Sequence, residues 1–299
     1  MLVRQIRNRA LNHLGYPSPG PMEWGKSTTA AAETIFTDHD WWNRWPTWQV
    51  ISPGRSGTRW LADLLIATSV YGIVHATDPT LAKAGFLADQ GLLSSDSSWG
   101  AYLSSRLELL SRCKENHRAL VDLDCKNSPL APELLSRNKN SRALVLLRNP
   151  RDFVRSGIAR NYFRHKSPFD WGHLTDADYS HKFDANPGLT MNDQAVLIGR
   201  FWGRVATSAQ NVAQLYPDRV HIVRVEEMFR SPSYVLDSLV SAGIKVSRTE
   251  VLRYRNFARR KNATPTRAKQ EPAFQINWDL VESAAFQHLS TEFVTQLGL

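Results

Sequence analysis

The sequence predicts an α/β fold, a single three-layer domain around a mostly parallel central sheet. Short apolar stretches typical of buried strands alternate with longer stretches of helical periodicity. No internal repeat or linker divides the 299 residues, and a hydrophobic content of 42% with ten Trp is enough for one large core. We therefore expect a domain at residues 48–299, with residues 1–47 as a lead-in packed on it.

Composition narrows the classes of partner. The 37 Lys and Arg residues outnumber the 28 Asp and Glu residues, for a formal net charge of +9, which favours an anionic partner such as a nucleotide, a nucleic acid, an acidic glycan or a membrane surface. The two cysteines, Cys113 and Cys125, are too few for a disulfide scaffold and predict free thiols. The sequence shows no secretory signal and no apolar run near ~18 residues, so we expect a cytoplasmic protein without a membrane span.

The first strand, loop and helix are predicted between Trp48 and Ser69. Residues 49–52 are short, apolar and partly β-branched, and Pro53 and Gly54 end the stretch, which is typical of a buried strand. From residue 58 onwards, apolar side chains recur at helical spacing: Trp60, Leu61, Leu64 and Leu65.

The loop between that strand and helix has the composition of an anion site. Gly54 and Gly57 allow a tight turn and a close approach of the backbone to a ligand. Ser56 and Thr58 add hydroxyl groups beside the free N–H groups of a helix start, which bind anions. Arg55 adds a permanent cation. The loop is therefore predicted to cradle a phosphate or a sulfate.

A second motif follows a predicted central strand at residues 143–147, a continuous apolar run. Asn149 and Pro150 are typical of a helix start, so Arg148 lies at the carboxyl end of the strand. Ser156 lies about two turns into the helix. Ligands of open α/β sheets bind outside the carboxyl ends of the strands. Both motifs should therefore face one ligand region.

The two motifs together resemble those of the sulfotransferases that use 3′-phosphoadenosine 5′-phosphosulfate (PAPS). In that family a P-[KR]-S-G-T-[TS]-[WL] loop, P-loop-like in form, holds the 5′-phosphosulfate, and R-[ND]-P-x-D-x-x-x-S holds the 3′-phosphate. The segments here read PGRSGTRW and RNPRDFVRS; Gly54 is an additional residue, and Arg59 replaces the usual Thr or Ser. The resemblance implies two sets of binding residues: Arg55, Ser56, Gly57, Thr58, Arg59 and Trp60 for the phosphosulfate, and Arg148 and Ser156 for the 3′-phosphate.

The resemblance also implies catalytic residues, with Arg55 among them. The segment after the first helix often supplies the general base in this family, which makes His75 the first candidate and Asp78 the second. A lone histidine is more often structural, although an imidazole with a pKa near ~6.5 suits proton abstraction. The CKNSP segment resembles the family's D/E-K-[TSND]-P element, so Lys126 would reach the transferring sulfuryl group; the alternative is a surface lysine. Asp122 and Asp124 are further candidates for the base.

The implied reaction is transfer of a sulfuryl group from PAPS to a hydroxyl or amine of an acceptor, which could be a small molecule, a glycan or a peptide, without a metal. A P-loop kinase is an alternative, but it would need a Lys after Gly57, where this chain has Thr58. A basic nucleic-acid-binding protein is another alternative that the net charge favours. No recognition-helix, RRM or KH pattern supports it, so we expect no nucleic acid as partner.

The remaining elements are predicted from periodicity and caps. Residues 81–117 are mainly helical with a polar break at 94–98, and a strand follows at 119–124. Residues 164–187 form a polar insertion, and a long helix (190–216) leads to a strand (220–225). A capping box at 247–250 opens a helix, and a single amphipathic helix spans 279–297. The basic loop 259–267 lacks the family's R-K-G element, for which Arg259, Arg260 or Arg267 could substitute.

Overall fold

Five parallel strands form the central sheet of this computed structural model, which describes residues 41–68, 71–75, 81–159, 162–163, 189–258 and 276–299. The strands are β1 (Thr47–Ile51), β2 (Tyr71–Val74), β3 (Ala119–Asp122), β4 (Ser141–Leu147) and β5 (Val220–Arg224). Their order across the sheet is β2–β3–β1–β4–β5. Because β1 lies in the centre, the loop after it is flanked by the carboxyl ends of β3 and β4.

Helices connect these strands along the chain. In the described residues they are α1 (Thr58–Thr68), α2 (Ala82–Asp89), α3 (Ser95–Glu115), α4 (Ala131–Arg137), α5 (Pro150–Ile158), α6 (Met191–Leu215), α7 (Val225–Arg230), α8 (Pro232–Ser241), α9 (Arg248–Ala258), α10 (Trp278–Phe286) and α11 (Thr291–Leu297). Two short 3₁₀ helices add to them: Trp41–Asn43 before β1 and Cys125–Leu130 after β3.

Side chains alternate across the sheet and pack against helices on both faces. On one face, Val50 and Leu144 belong to a buried cluster with α1, α7, α8 and α9. On the other, Ile51 and Val145 pack with α4, α5, α6, α10 and α11. A third cluster joins α3 and α4 to Leu120 of β3. The three-layer α/β fold with a parallel sheet is thus confirmed.

Local capping signals explain where several helices begin. The side chain of Asn149 accepts a hydrogen bond from the N–H of Arg151 (3.0 Å), as predicted for the start of α5. Ser247 and Glu250 form the predicted capping box before α9, since each side chain accepts the backbone N–H of the other residue (3.2 and 2.7 Å). These caps satisfy N–H groups that have no acceptor within the helix.

Two of the predicted helix boundaries are wrong. The single helix expected at 279–297 is two helices, α10 and α11. Ser290 donates its N–H to Gln210 of α6 (2.7 Å) and its side chain accepts the N–H of Phe293, so this residue starts a new helix. The break expected at 94–98 lies before residue 95, because Ser94 caps α3 by accepting the N–H of Ser97 (3.1 Å).

Both cysteines are free thiols, as predicted: Cys113 is buried beneath β2, and Cys125 begins the 3₁₀ helix after β3. None of the helices in the described residues is long and apolar enough to cross a membrane. Several predicted features lie outside the described residues: the lead-in as far as residue 40, the polar insertion at 164–187, Asp78, and the basic loop with Arg259, Arg260 and Arg267.

Candidate active site

The loop after β1 (residues 52–57, called the anion loop) has an unusual backbone that its sequence permits. Gly54 and Gly57 have φ of 82° and 83°, and Arg55 between them has φ of 54°, which few non-glycine residues adopt. A Cβ added to Gly57 would lie 2.5 Å from Met228 Cε and 2.9 Å from Phe229 Cζ. A side chain at position 57 would therefore be strained at this φ and would displace Met228 and Phe229, so the path of the loop favours glycine here.

The 3₁₀ helix after β3 (Cys125–Leu130) packs directly against the anion loop. The Ser128 hydroxyl accepts the N–H of Ser52 (3.0 Å) and lies 3.2 Å from the carbonyl oxygen of Val50 and 3.1 Å from that of Ser52. A Cβ on Gly54 would lie 3.3 Å from Cys125 Sγ. The turn that carries Cys125 and Ser128 therefore fixes the position of the anion loop relative to the end of β3. The CKNSP motif did not predict this role of Ser128, because the hydroxyl acts on Ser52, a residue 76 positions away.

The anion loop ends at α1, whose first N–H groups have no acceptor within the helix and therefore suit an anion. Thr58 begins the helix and is almost fully buried. Arg59 is half-exposed and pairs with Asp63 one turn later (3.2 Å). The predicted contact residues of this segment thus differ in direction: Arg59 extends to the surface, whereas Thr58 points inward.

Ser56 and Trp60 also turn their side chains into the protein. The Ser56 hydroxyl is buried and donates to the carbonyl oxygen of Gly54 (3.0 Å), which holds the loop in shape. The Trp60 ring is 5% exposed and packs edge-on against Phe229, with ring centroids 5.7 Å apart. The Ser56 side chain therefore shapes the loop, and its backbone N–H is the group that suits an anion.

The second motif meets the anion loop across β1 and β4, which are neighbours in the sheet. Arg55 Nε donates to Ser156 Oγ at 3.3 Å, so the two predicted anion sites are adjacent. Arg148 extends from the end of β4 with a third of its side chain exposed, and it pairs with Asp152 (3.3 Å). Its carbonyl oxygen accepts a hydrogen bond from Trp202 Nε1 (2.8 Å), which fixes the backbone at this position.

Glu226 fixes the start of α5 from the neighbouring strand end. Its Oε1 accepts the N–H of Asn149 at 2.8 Å. Because Asn149 follows Arg148 directly, this bond from α7 holds the segment that carries the predicted 3′-phosphate site. The carboxylate is thus structural within the described residues.

His75 lies at the carboxyl end of β2, beside the start of α1. Its Nε2 is 3.2 Å from Thr58 Oγ1, whereas Nδ1 is buried and bonds to none of the described residues. Burial lowers the pKa of the imidazole, and the nearby Arg59 cation lowers it further, while Asp124 and Asp63 oppose both. The neutral form, which can accept a proton, therefore predominates near pH 7.

Asp122 and Asp124 are almost completely buried and pair with one arginine, Arg106 of α3. Arg106 Nε donates to Asp122 Oδ2 (2.8 Å), and Nη2 donates to Asp124 Oδ2 (3.1 Å). Burial raises the pKa of Asp122 above its ordinary value, against the opposing effect of Arg106. No local motif predicts the role of Arg106, because this residue precedes its two partners by 16 and 18 residues.

Lys126 follows these aspartates, and its backbone N–H donates to Asp124 Oδ1 (3.1 Å). It begins the segment beneath the anion loop, at the carboxyl end of β3. Arg55, Lys126 and Arg148 thus follow three neighbouring strands, β1, β3 and β4, at the carboxyl edge of the sheet. Such a set of charges and N–H groups suits a ligand with two anionic ends. Within the described ranges, no group of three or more His, Cys, Asp or Glu side chains is placed to hold a metal ion.

Comparison with known proteins gives one family. The family model described as a sulfotransferase domain matches residues 47–276, which include both motifs. Among solved structures, the chain is similar to the sulfotransferase domain from the curacin biosynthetic pathway (16% identity, 85% of this chain and 97% of that chain, TM-score 0.44). It is also similar to the sulfotransferase domain of the Synechococcus PCC 7002 olefin synthase (12% identity, 85% and 94%, TM-score 0.43). No curated protein matches this chain.

Proposed function

Since the chain belongs to the sulfotransferase domain family, we propose that it transfers a sulfuryl group from PAPS to a hydroxyl or amine of an acceptor. The contact between Arg55 Nε and Ser156 Oγ (3.3 Å) carries the proposal. It brings together the loop that the family uses for the phosphosulfate and the segment that it uses for the 3′-phosphate. A donor with an anion at each end needs both sites within one nucleotide's length.

The residues of this chain suit that donor. Bound PAPS would supply the sulfuryl group and leave as 3′,5′-ADP. Arg55 and the N–H groups from Gly57 to Trp60 would hold the phosphosulfate, because a helix start and an adjacent guanidinium both favour a negative charge. Arg148 and Ser156 would hold the 3′-phosphate through charge-assisted and hydroxyl hydrogen bonds. Thr58, with its side chain between His75 and the loop, would complete the site.

Transfer itself would use Arg55, Lys126 and His75. Arg55 and Lys126 stabilise the negative charge that grows on the leaving oxygen, because preorganised cations need no rearrangement at that moment. Arg55 keeps its proton at ordinary pH and therefore acts by hydrogen bonding. His75, kept neutral by its lowered pKa, accepts the proton of the acceptor. The acceptor is a small molecule, a glycan or a peptide that approaches the start of α1.

The direct test is incubation with sulfur-labelled PAPS and a panel of acceptors from these three classes. We expect label in at least one acceptor and release of 3′,5′-ADP in equal amount. A preparation that binds neither PAPS nor 3′,5′-ADP would overturn the proposal, whatever the acceptor.

We predict that 3′,5′-ADP binds far more tightly than 5′-AMP and that Arg148→Ala removes most of this difference. A charge-assisted hydrogen bond contributes about 1.5–3 kcal/mol, and about 1.4 kcal/mol is tenfold in affinity. Arg148→Ala should therefore weaken 3′,5′-ADP by about 10–100-fold and change 5′-AMP little, as measured by calorimetry.

Arg142→Ala is the matched control, because Arg142 lies on the same strand at its opposite end and donates to the carbonyl oxygen of Ala242 (3.1 Å). This variant should bind both nucleotides like the parent. Equal affinity of the parent protein for 3′,5′-ADP and 5′-AMP would contradict the assignment of the 3′-phosphate site.

We also predict that transfer persists in EDTA. Arg55 and Lys126 supply the positive charge that a kinase obtains from magnesium, so the reaction should need no divalent cation. The measurement is the rate of label transfer with EDTA and with added magnesium. Complete loss in EDTA with recovery on adding magnesium would contradict the prediction, because a divalent cation would then supply the charge that we assign to Arg55 and Lys126.

A further inference from the structure

Arg106 is a fully buried arginine in the middle of α3, and it lies directly behind the candidate active site. Its guanidinium contacts both Asp122 and Asp124 (2.8 and 3.1 Å), and Asp124 donates its N–H to Asp122 Oδ1 (3.0 Å). The three side chains are at most 2% exposed. Together they close a ring of hydrogen bonds around the end of β3, called here the Arg106 clamp.

Stability alone gives a poor reason for this arrangement. Removing three charges from water costs more free energy than a surface ion pair ever returns, and buried ion pairs can often be replaced by apolar side chains without loss of stability. What a planar, two-pronged guanidinium does well is to fix two carboxylates relative to each other. The Arg106 clamp therefore determines the geometry of the turn after β3.

That turn carries groups that the donor site needs. The second oxygen of Asp124, Oδ1, accepts the N–H of Lys126, so the clamp holds the backbone at that residue (3.1 Å). Two residues later, the Ser128 hydroxyl holds the N–H of Ser52 at the start of the anion loop (3.0 Å). A continuous series of hydrogen bonds thus runs from Arg106 through Asp124 to the backbone of Lys126.

Tyr102, one turn before Arg106 on α3, is also connected by hydrogen bonds to the turn after β3. The Tyr102 hydroxyl accepts a hydrogen bond from Gln49 Nε2 of β1 (2.7 Å), and Gln49 Oε1 accepts one from Asn127 Nδ2 (3.2 Å). All three side chains are buried. Helix α3 therefore holds the turn after β3 both directly, through Arg106, and through the central strand.

We propose that Arg106 is a positioning residue for sulfuryl transfer, which sets the place of Lys126 and of the anion loop through Asp124. The proposal rests on the proposed function for its catalytic consequence. It predicts that a small change at Arg106, a fully buried residue 49 positions after the end of the anion loop (106 − 57), lowers the rate of transfer.

The test compares Arg106→Lys with Arg112→Lys on the same helix. Lysine keeps the positive charge but cannot bind two carboxylates in one plane, whereas Arg112 pairs with Glu108 of its own helix (2.6 Å). A misplacement of about 1 Å costs about 10²-fold in rate, so Arg106→Lys should lower kcat by about that factor with the acceptor KM nearly unchanged. Arg112→Lys should behave like the parent.

Hydrogen exchange of the free protein supplies a readout that does not depend on activity. In Arg106→Lys, the N–H groups of Lys126 and Ser52 should exchange faster, while those of α9 on the other face keep the parental rate. Unchanged exchange at both positions overturns the proposal. A lower unfolding temperature with parental kcat per folded molecule overturns it too, because the role would then be structural only.

Failure of the proposed function can be distinguished from failure of the positioning role of Arg106. If the parent transfers no sulfuryl group to any acceptor, the proposed function fails, and hydrogen exchange alone decides whether Arg106 positions the turn. If Arg106→Lys does not fold, Asp124→Asn replaces it, because the amide keeps one acceptor oxygen for Lys126 and loses the charge that Arg106 requires. Parental kcat in Asp124→Asn would overturn the proposal.

Discussion

Replacing His75 with alanine should lower turnover by about 10²–10⁴-fold, the usual contribution of a general base. His75 Nε2 lies 3.2 Å from Thr58, at the helix start where the sulfuryl group would be held. Because the imidazole supplies none of the cations of the site, the affinity for 3′,5′-ADP should hardly change. Steady-state rates and calorimetry on the same preparation measure the two quantities.

The pH dependence gives the same assignment an independent test. The pKa of His75 is lowered below its ordinary value by burial first and by Arg59 second. A base must be neutral to accept a proton, so kcat/KM of the parent should rise with pH, with its midpoint below pH ~6.5, and level off by pH 7.

His221→Ala is the matched control for His75→Ala. His221 lies on β5, and its pKa is also lowered by burial, but none of the described contacts joins it to the anion loop. This variant should keep both the parental rate and the parental pH profile. His75 is not the base if His75→Ala keeps more than about a tenth of the parental turnover. Asp78, and after it Asp122 and Asp124, would then be tested.

Replacing Lys126 with alanine should lower kcat by about 10²–10³-fold, as the loss of one preorganised donor does at other sites where negative charge develops. The backbone of Lys126 is held by Asp124, at the carboxyl end of β3 beside the anion loop. Since the amine is expected to act on the transferring group, the affinity for 3′,5′-ADP, which lacks that group, should stay within a few-fold.

Lys139→Ala controls for the loss of a positive charge. Lys139 is exposed and precedes β4, at the opposite end of the sheet from the anion loop. Its replacement should leave kcat unchanged. If Lys126→Ala weakens 3′,5′-ADP as strongly as it lowers kcat, Lys126 binds the nucleotide and has no specific part in transfer.

Features encoded by neighbouring residues could be predicted from the sequence. Apolar runs gave the strands on either side of the anion loop, and side-chain caps such as Asn149 and Ser247 gave helix starts. The break within 279–297 was missed because it depends on Gln210, a residue 80 positions away that takes up the N–H of Ser290. The apolar periodicity of the sequence continues across this break and therefore does not reveal it.

The same distinction holds within the candidate active site. Gly54, Gly57 and Arg55 form a local motif, so the tight backbone turn of the anion loop could be predicted. The inward direction of the Trp60 ring depends on Phe229, and the ion pairs of the aspartates after β3 depend on Arg106. Neither partner lies near its motif in sequence, and only the folded chain brings them together.

The central place of β1 in the sheet has a consequence for the order of events on the ribosome. Thr47 pairs with Leu120, 73 residues later (120 − 47), and Ile51 pairs with Val145, 94 residues later (145 − 51). Closing such long loops is slow and comes before any pairing energy is gained. A nascent chain that has emerged only as far as the anion loop therefore has no strand on either side of it. The anion loop is complete in sequence at Gly57, but its neighbour β4 ends only at Leu147, 90 residues later (147 − 57). The loop can therefore acquire its folded shape only after these residues have also been synthesised.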